Sequence, residues 1–199
     1  MKNLIIVLLF FLIPFSNSEW QLKKEKDGIE IYTRNVEGSS FLEFKAVMIL
    51  KNVGLTDVLD IILDVENYES LYADCVNPKV LKTEGKYYDI HYIQTKGPLT
   101  IKDRDSVYEQ VTKLENNGKH AIVYLKPLPD YIEENKNMVR IRNGTGFWEL
   151  EENKENEIKV VYQFHGEPGG DIPAWLANSF VVSHPFKTMK NLKIRLGVE

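Results

Sequence analysis

A chain of 199 residues with a formal net charge of −4 and a single cysteine has the size of one domain. The mild negative charge argues against a nucleic-acid partner, and one cysteine excludes an intramolecular disulfide, so the fold must stand on its apolar core. No cofactor or metal is expected: His91, His120, His165 and His184 lack metal-ligand spacing, Cys75 has no nearby partner, and no phosphate-binding glycine loop, dinucleotide fingerprint or Gly-x-Ser-x-Gly elbow occurs.

Lys2, the apolar run from Leu4 to Phe15 and the small residues Ser16 and Ser18 read as a secretory signal over residues 1–18, cleaved after Ser18. This leaves one exported domain over residues 19–199, periplasmic or secreted. A retained membrane anchor is the alternative, but the run is shorter than the roughly 20 apolar residues of a spanning helix. Gly28 to Arg34 alternates apolar and polar and predicts a first strand, and Phe41 to Leu50 a second. Thr56 then caps a helix ending near Asn67, followed by a short turn from Tyr68 to Ala73. Strands are predicted over Lys79 to Thr83, Tyr87 to Lys96, Arg104 to Glu115, His120 to Lys126, Met138 to Leu150 and Ile158 to His165, with a long loop from Lys126 to Lys136.

The stretch from Gly169 to Leu196 predicts a long amphipathic helix, with Asp171 as its cap and Pro173 where a missing N–H costs nothing. Its apolar face carries Trp175, Leu176, Ser179, Phe180, Val182, Phe186, Met189 and Leu192. Pro185 deletes a helical hydrogen bond, so a kink is expected near Val181, either a fit to the curved sheet or a hinge for ligand entry. Lys187, Lys190, Lys193 and Arg195 make a solvated face that could touch an anionic bilayer transiently. The whole reads as an α+β fold, a curved antiparallel sheet wrapped around the last helix.

Parity along two strands suggests what the sheet shelters. Tyr88, Ile90, Tyr92 and Gln94 share one face, taken as the inner one, and Ser106, Tyr108, Gln110, Thr112 and Leu114 share the inner face of the next strand. A buried hydroxyl or amide without a partner costs about 1–3 kcal/mol, so these residues suit the wall of a cavity for an amphipathic ligand better than a solid core. A core whose polar tips are satisfied internally is the other reading. Arg104 falls on the face opposite Asp103 and Asp105, which points to structural work at a strand start. Arg140 and Arg142 share a face and are either solvated and salt-bridged or held ready for an anionic headgroup.

Three stretches resemble the START family of lipid-transfer domains, a branch of the helix-grip superfamily that includes the birch-pollen-allergen-like proteins. They are Trp20 and Leu22 followed by Gly28 to Arg34, the run Asp103-Arg104-Asp105-Ser106-Val107-Tyr108, and Glu167-Pro168-Gly169-Gly170-Asp171-Ile172-Pro173 opening the final helix, with Glu167 where the family has Asp. The resemblance implies a helix-grip fold with a tunnel between sheet and C-terminal helix, a lipid or other hydrophobic ligand, and no catalysis or metal. Where several family members face an acidic residue with an arginine in the tunnel, this chain is read as having Gln94 and Gln110, two amides that could orient a ligand hydroxyl or carbonyl. The expected ligand contacts are Tyr88, Tyr92, Gln94, Tyr108 and Gln110 from the sheet and Trp175, Ser179 and Phe186 from the helix. A monomeric, non-enzymatic carrier is expected. The alternatives are a cyclase- or hydrolase-like enzyme, for which the inner parity offers tyrosines but no carboxylate or histidine, and a filled-core protein-interaction module.

Overall fold

The computed structural model describes residues 19–97, 101–154 and 156–198; the signal assigned to residues 1–18 lies outside them. Its strands are β1 Gln21–Lys26, β2 Ile29–Arg34, β3 Glu43–Lys51, β4 Cys75–Thr83, β5 Tyr88–Thr95, β6 Arg104–Glu115, β7 His120–Pro127, β8 Val139–Arg140, β9 Asn143–Lys154 and β10 Glu157–Glu167. Helices α1 Leu55–Leu63 and α2 Tyr68–Leu71 follow β3, and α3 Ala174–Phe180 and α4 Ser183–Leu196 close the described chain. The sheet runs β1-β2-β3-β10-β9-β7-β6-β5-β4, with β8 pairing β6 off this path. All neighbours are antiparallel except the short β6–β8 pair.

Local chemistry makes most of the hairpins. Asp27 and Gly28 both take positive φ in the β1–β2 turn, a conformation open to glycine and tolerated by Asp. After β3 the chain does not turn back. It passes through α1 and α2 and resumes at the far edge with β4. The sheet therefore closes only when β10 returns to pair with β3, from Glu157 opposite Lys51 to Phe164 opposite Phe44. Trp148 of β9 stacks on Tyr162 of β10 with ring centres 4.1 Å apart, and Val58, Ile62 and Leu71 of the short helices join Met189 and Leu192 of α4 in the same buried cluster. Each such side chain contributes about 1.5–3 kcal/mol by leaving water. This is the expected helix-grip arrangement.

Several boundaries differ from the sequence reading, each for a local reason. β1 has no apolar parity because it is an exposed edge strand, where its lysines discourage edge-to-edge pairing. α1 starts one residue before Thr56, with Gly54 as cap and the Gly54 N–H donating to Asp57 Oδ2 at 3.1 Å. The strand expected from Met138 to Leu150 is two strands, β8 and β9. At the last helix the cap is Pro173 rather than Asp171, without a side-chain bond. Pro185 has no N–H to offer the Val181 carbonyl, and the helix breaks there, between Phe180 and Ser183.

Candidate functional site

The sheet and the broken C-terminal helix border two adjoining cavities, the lobes of the candidate tunnel, which share several lining residues. The inner lobe, of about 220 Å³, is bounded by Tyr68 and Tyr72 from the α2 region, His91, Ser106 and Tyr108 from the sheet and Thr188 from α4. The outer lobe, of about 240 Å³, reaches the rim made by Phe41, Leu42, Ile172, Ala177 and Val181. Phe44, Ile141, Phe164 and Pro185 border both. Pro185, in the first turn after the helix break, thus borders both lobes. Aromatic edges hold the walls: Phe44 meets Tyr162 at 5.0 Å and Tyr108 meets Phe164 at 6.0 Å, both T-shaped. At the rim, Asn178 of α3 accepts the Leu42 N–H at 3.0 Å and donates to the Ser40 carbonyl at 3.1 Å, tying the helix to the chain ahead of β3.

A buried polar chain runs along the inner end. Register places Asp89 opposite Gln110 and His91 opposite Tyr108. Gln110 Nε2 donates to Asp89 Oδ2 at 2.8 Å, and His91 Nδ1 lies 2.6 Å from Asp89 Oδ1. The Tyr68 hydroxyl is 2.9 Å from both Gln110 Oε1 and the Ile62 carbonyl. Gln110 is fully buried and His91 is 2 % exposed. Burial pushes the hydroxyls of Tyr68, Tyr72, Tyr108 and Tyr162 above the ordinary tyrosine value, so they stay protonated and able to donate. Burial also pushes the Cys75 thiol, on the inner lobe, up to about 12. It is a small apolar wall residue and not a nucleophile.

The structure brings two of the expected contacts, Tyr108 and Gln110, to the inner face, Tyr108 on the tunnel wall and Gln110 just behind it. Tyr88, Tyr92 and Gln94 lie on the opposite face, so the parity read for β5 is inverted. Ile90 and Tyr92 pack with Val107 into a second small core, covered by Leu128 and Ile132 of the loop between β7 and β8. Both faces of this strand are sheltered, and apolar residues therefore do not mark the tunnel side. What marks it is the mutual satisfaction of Asp89, His91 and Gln110. Gln94 faces Asn77 and Tyr92, at 2.8 and 2.9 Å, and does not meet Gln110.

On the final helix Trp175 is 73 % exposed, Ser179 turns its hydroxyl to the Leu176 carbonyl at 2.6 Å, and Phe186 packs under Lys24 Nζ at 3.5 Å, away from the tunnel wall. The single apolar stripe expected of one helix falls across two, α3 and α4. The wall residues Ala177, Val181, His184, Pro185 and Thr188 follow two short segments. His91 and His184 on the lobe walls and Glu167 on the outer lobe correct the expectation that the tunnel holds no carboxylate or histidine. The i, i+4 pair Tyr68 and Tyr72 was the one available sequence signal for the α2 side of the lobe.

The charged signature at the start of β6 is structural. Arg104 donates to the carbonyls of Lys102, Pro168 and Gly169, fixing the double-glycine turn ahead of α3. Gly169 and Gly170 take φ of +66° and +62°, and a Cβ on either would press on Val139 at 3.2–3.3 Å. On the other face Asp105 receives Arg140 Nε and Nη2 at 3.0 and 2.9 Å, and both side chains are at most 2 % exposed. Arg142 pairs with Asp130 at 3.0 Å and Glu134 at 2.5 Å. Neither arginine reaches the tunnel, so the pair does not await a headgroup there.

Comparison with known proteins places this architecture. The START domain family model matches residues 13–197. The chain is 34% identical over 185 residues to an uncharacterised Pseudomonas aeruginosa protein, covering 88% of this chain and 85% of that one. It is 26% identical over 166 residues to the human phosphatidylcholine transfer protein, covering 82% and 77%. The crystal structure of a STAR-related lipid transfer protein fragment from Xanthomonas axonopodis superposes with a TM-score of 0.82 at 34% identity, over 89% of this chain and 98% of that one. With a family model spanning nearly the whole described chain and the tunnel architecture that goes with it, the chain belongs to the START domain family.

Proposed function

We propose that the protein is an exported, monomeric carrier that binds a lipid or similar hydrophobic molecule in its tunnel and carries it through an aqueous compartment. The observation that carries this reading is the aromatic-walled passage of about 220 and 240 Å³ beneath a helix broken at its midpoint. Burying an apolar ligand there contributes about 25 cal/mol per Å², and the inner hydroxyls and imidazole orient its polar end. The relatives named for lipid transfer support the same reading. Trp175 and the lysines of α4 would touch the membrane during exchange, and the net charge of −4 gives nucleic acid no footing.

Native mass spectrometry of the exported protein, followed by organic extraction, tests this. A stoichiometric lipid on a chain beginning at Glu19 is the expected result. A ligand-free mass that no lipid shifts would sink the carrier and favour an interaction module. Acid–base catalysis on the bound molecule is a second reading, and His91 on the inner-lobe wall, backed by Asp89 at 2.6 Å, is the observation that favours it. It requires a ligand that returns chemically changed, and changed no longer in a His91→Gln variant.

A further inference from the structure

We infer that His91 makes the inner lobe selective for a compact, neutral ligand that presents a hydrogen-bond donor, an alcohol above all, at its deep end. This rests on the lipid-binding reading and narrows it to a class of lipid. Asp89, as a carboxylate, only accepts. Gln110 Nε2 donates into one of its oxygens at 2.8 Å, and His91 Nδ1 lies 2.6 Å from the other, so Nδ1 carries the ring proton. In the neutral imidazole Nε2 is then a bare acceptor. The ring lines the inner lobe, and Nε2 has no protein hydrogen-bond partner among the described residues. An alkyl chain end pressed against it would remove its water and return nothing, whereas a hydroxyl would satisfy it.

Charge and size point the same way. Among the described residues bordering the inner lobe there is no lysine or arginine, so a phosphodiester drawn inside would meet no opposite charge. Lys96 and Arg104 border only the outer lobe, and Arg104 is engaged with three carbonyls. Lobes of about 220 and 240 Å³ each fall below the roughly 300–1,000 Å³ of ordinary small-molecule pockets, which suits one chain or one fused-ring body better than a two-chain phospholipid. The preference would separate this protein from its human relative named for phosphatidylcholine.

The test is a native mass spectrometry titration of the exported protein at pH 8 with three probes: 1-tetradecanol, its methyl ether, and dimyristoyl phosphatidylcholine. The alcohol should bind about tenfold tighter than the ether, the value of one sheltered hydrogen bond, and tighter than the phospholipid. Asp89→Asn supplies a second readout. The Asn carbonyl takes the Gln110 donor, its amide donates to Nδ1, and the ring proton moves to Nε2, so the preference should shrink or reverse toward the ether. A purely structural role for Asp89 would weaken both ligands together. Equal affinity for alcohol and ether in the natural protein, or tighter binding of the phospholipid, overturns the inference while the lipid-binding reading stands. If none of the three binds, that reading falls and this one with it. Should Asp89→Asn fail to fold, the alcohol-to-ether ratio of the natural protein decides.

Discussion

Replacing Asp105 by Ala should destabilise the fold strongly while sparing the tunnel. Its carboxylate takes two parallel bonds from Arg140 at 3.0 and 2.9 Å, with side chains 1 % and 2 % exposed. Removing one member of a buried ion pair costs about 3–5 kcal/mol because the other charge stays buried. Here the guanidinium keeps the carbonyls of Pro129, Ile132 and Glu133, so the cost should sit near the lower end, about 3 kcal/mol. At about 2–4 °C per kcal/mol for a domain of this size, the melting midpoint should fall by about 6–12 °C. Urea unfolding followed by far-ultraviolet circular dichroism measures the free-energy loss, with an unchanged m-value showing that the denatured state is unaltered. The double variant Asp105→Leu with Arg140→Met should recover most of the loss, since apolar replacement of both partners removes the desolvated charge. Ligand occupancy should persist, because the pair lies on the face away from the tunnel. A loss below about 1 kcal/mol for Asp105→Ala, or a double variant as unstable as the single, would refute the assignment of this pair as the staple of the β7–β8 loop.

Other expectations concern charge, the rim and the helix break. His120 sits 3.0 Å from both Glu149 and Glu115, and those hydrogen bonds, Glu149 first, raise its pKa above the ordinary histidine value. Its contribution to stability should be fully present below about pH 6.5 and lost as pH rises through the raised value. A His120→Gln variant whose urea midpoint shifts between pH 6 and 8.5 as much as the natural protein's would contradict this. Trp175→Ala, at a 73 % exposed site, should change stability by less than about 0.5 kcal/mol. It should also weaken vesicle association roughly tenfold, the value of an apolar contact of about 1–2 kcal/mol, and unaltered binding in a flotation assay would remove the rim from the membrane-contact surface. Pro185→Ala returns an N–H to the Val181 carbonyl, worth about 1 kcal/mol of helix continuity, so ligand release in stopped-flow measurements should slow severalfold. An unchanged rate would make the break a matter of shape alone.

How much of this was legible in the sequence depended on whether a single physical cause set each residue type. The double-glycine turn before the last helix, the break caused by Pro185 and the inward Tyr108 and Gln110 were legible because backbone chemistry or simple alternation fixes them. β5 was not. Ile90 and Tyr92 are apolar on account of the loop that covers the outer face, while Asp89 faces inward with His91, its neighbour along the strand, and Gln110, its partner on the next strand. Periodicity within one segment contains no information on partners forty residues away, such as Tyr68 for Gln110. The same limit applies to Arg140, whose role is set by Asp105 on another strand.

The pairing of β3 with β10 has a bearing on biogenesis. Lys51 meets Glu157 and Phe44 meets Phe164, so this interior seam of the sheet joins segments more than a hundred positions apart. Closing a chain loop of that length costs about 4 kcal/mol before any of the seam's contacts form. Topologies dominated by such distant pairings mature slowly. A nascent polypeptide lacking β10 and α4 lacks the strand that joins β1–β3 to the rest of the sheet and the helix that packs against it. For a protein proposed to cross a membrane as an extended thread, this ordering delays compaction until the last segment has emerged on the far side.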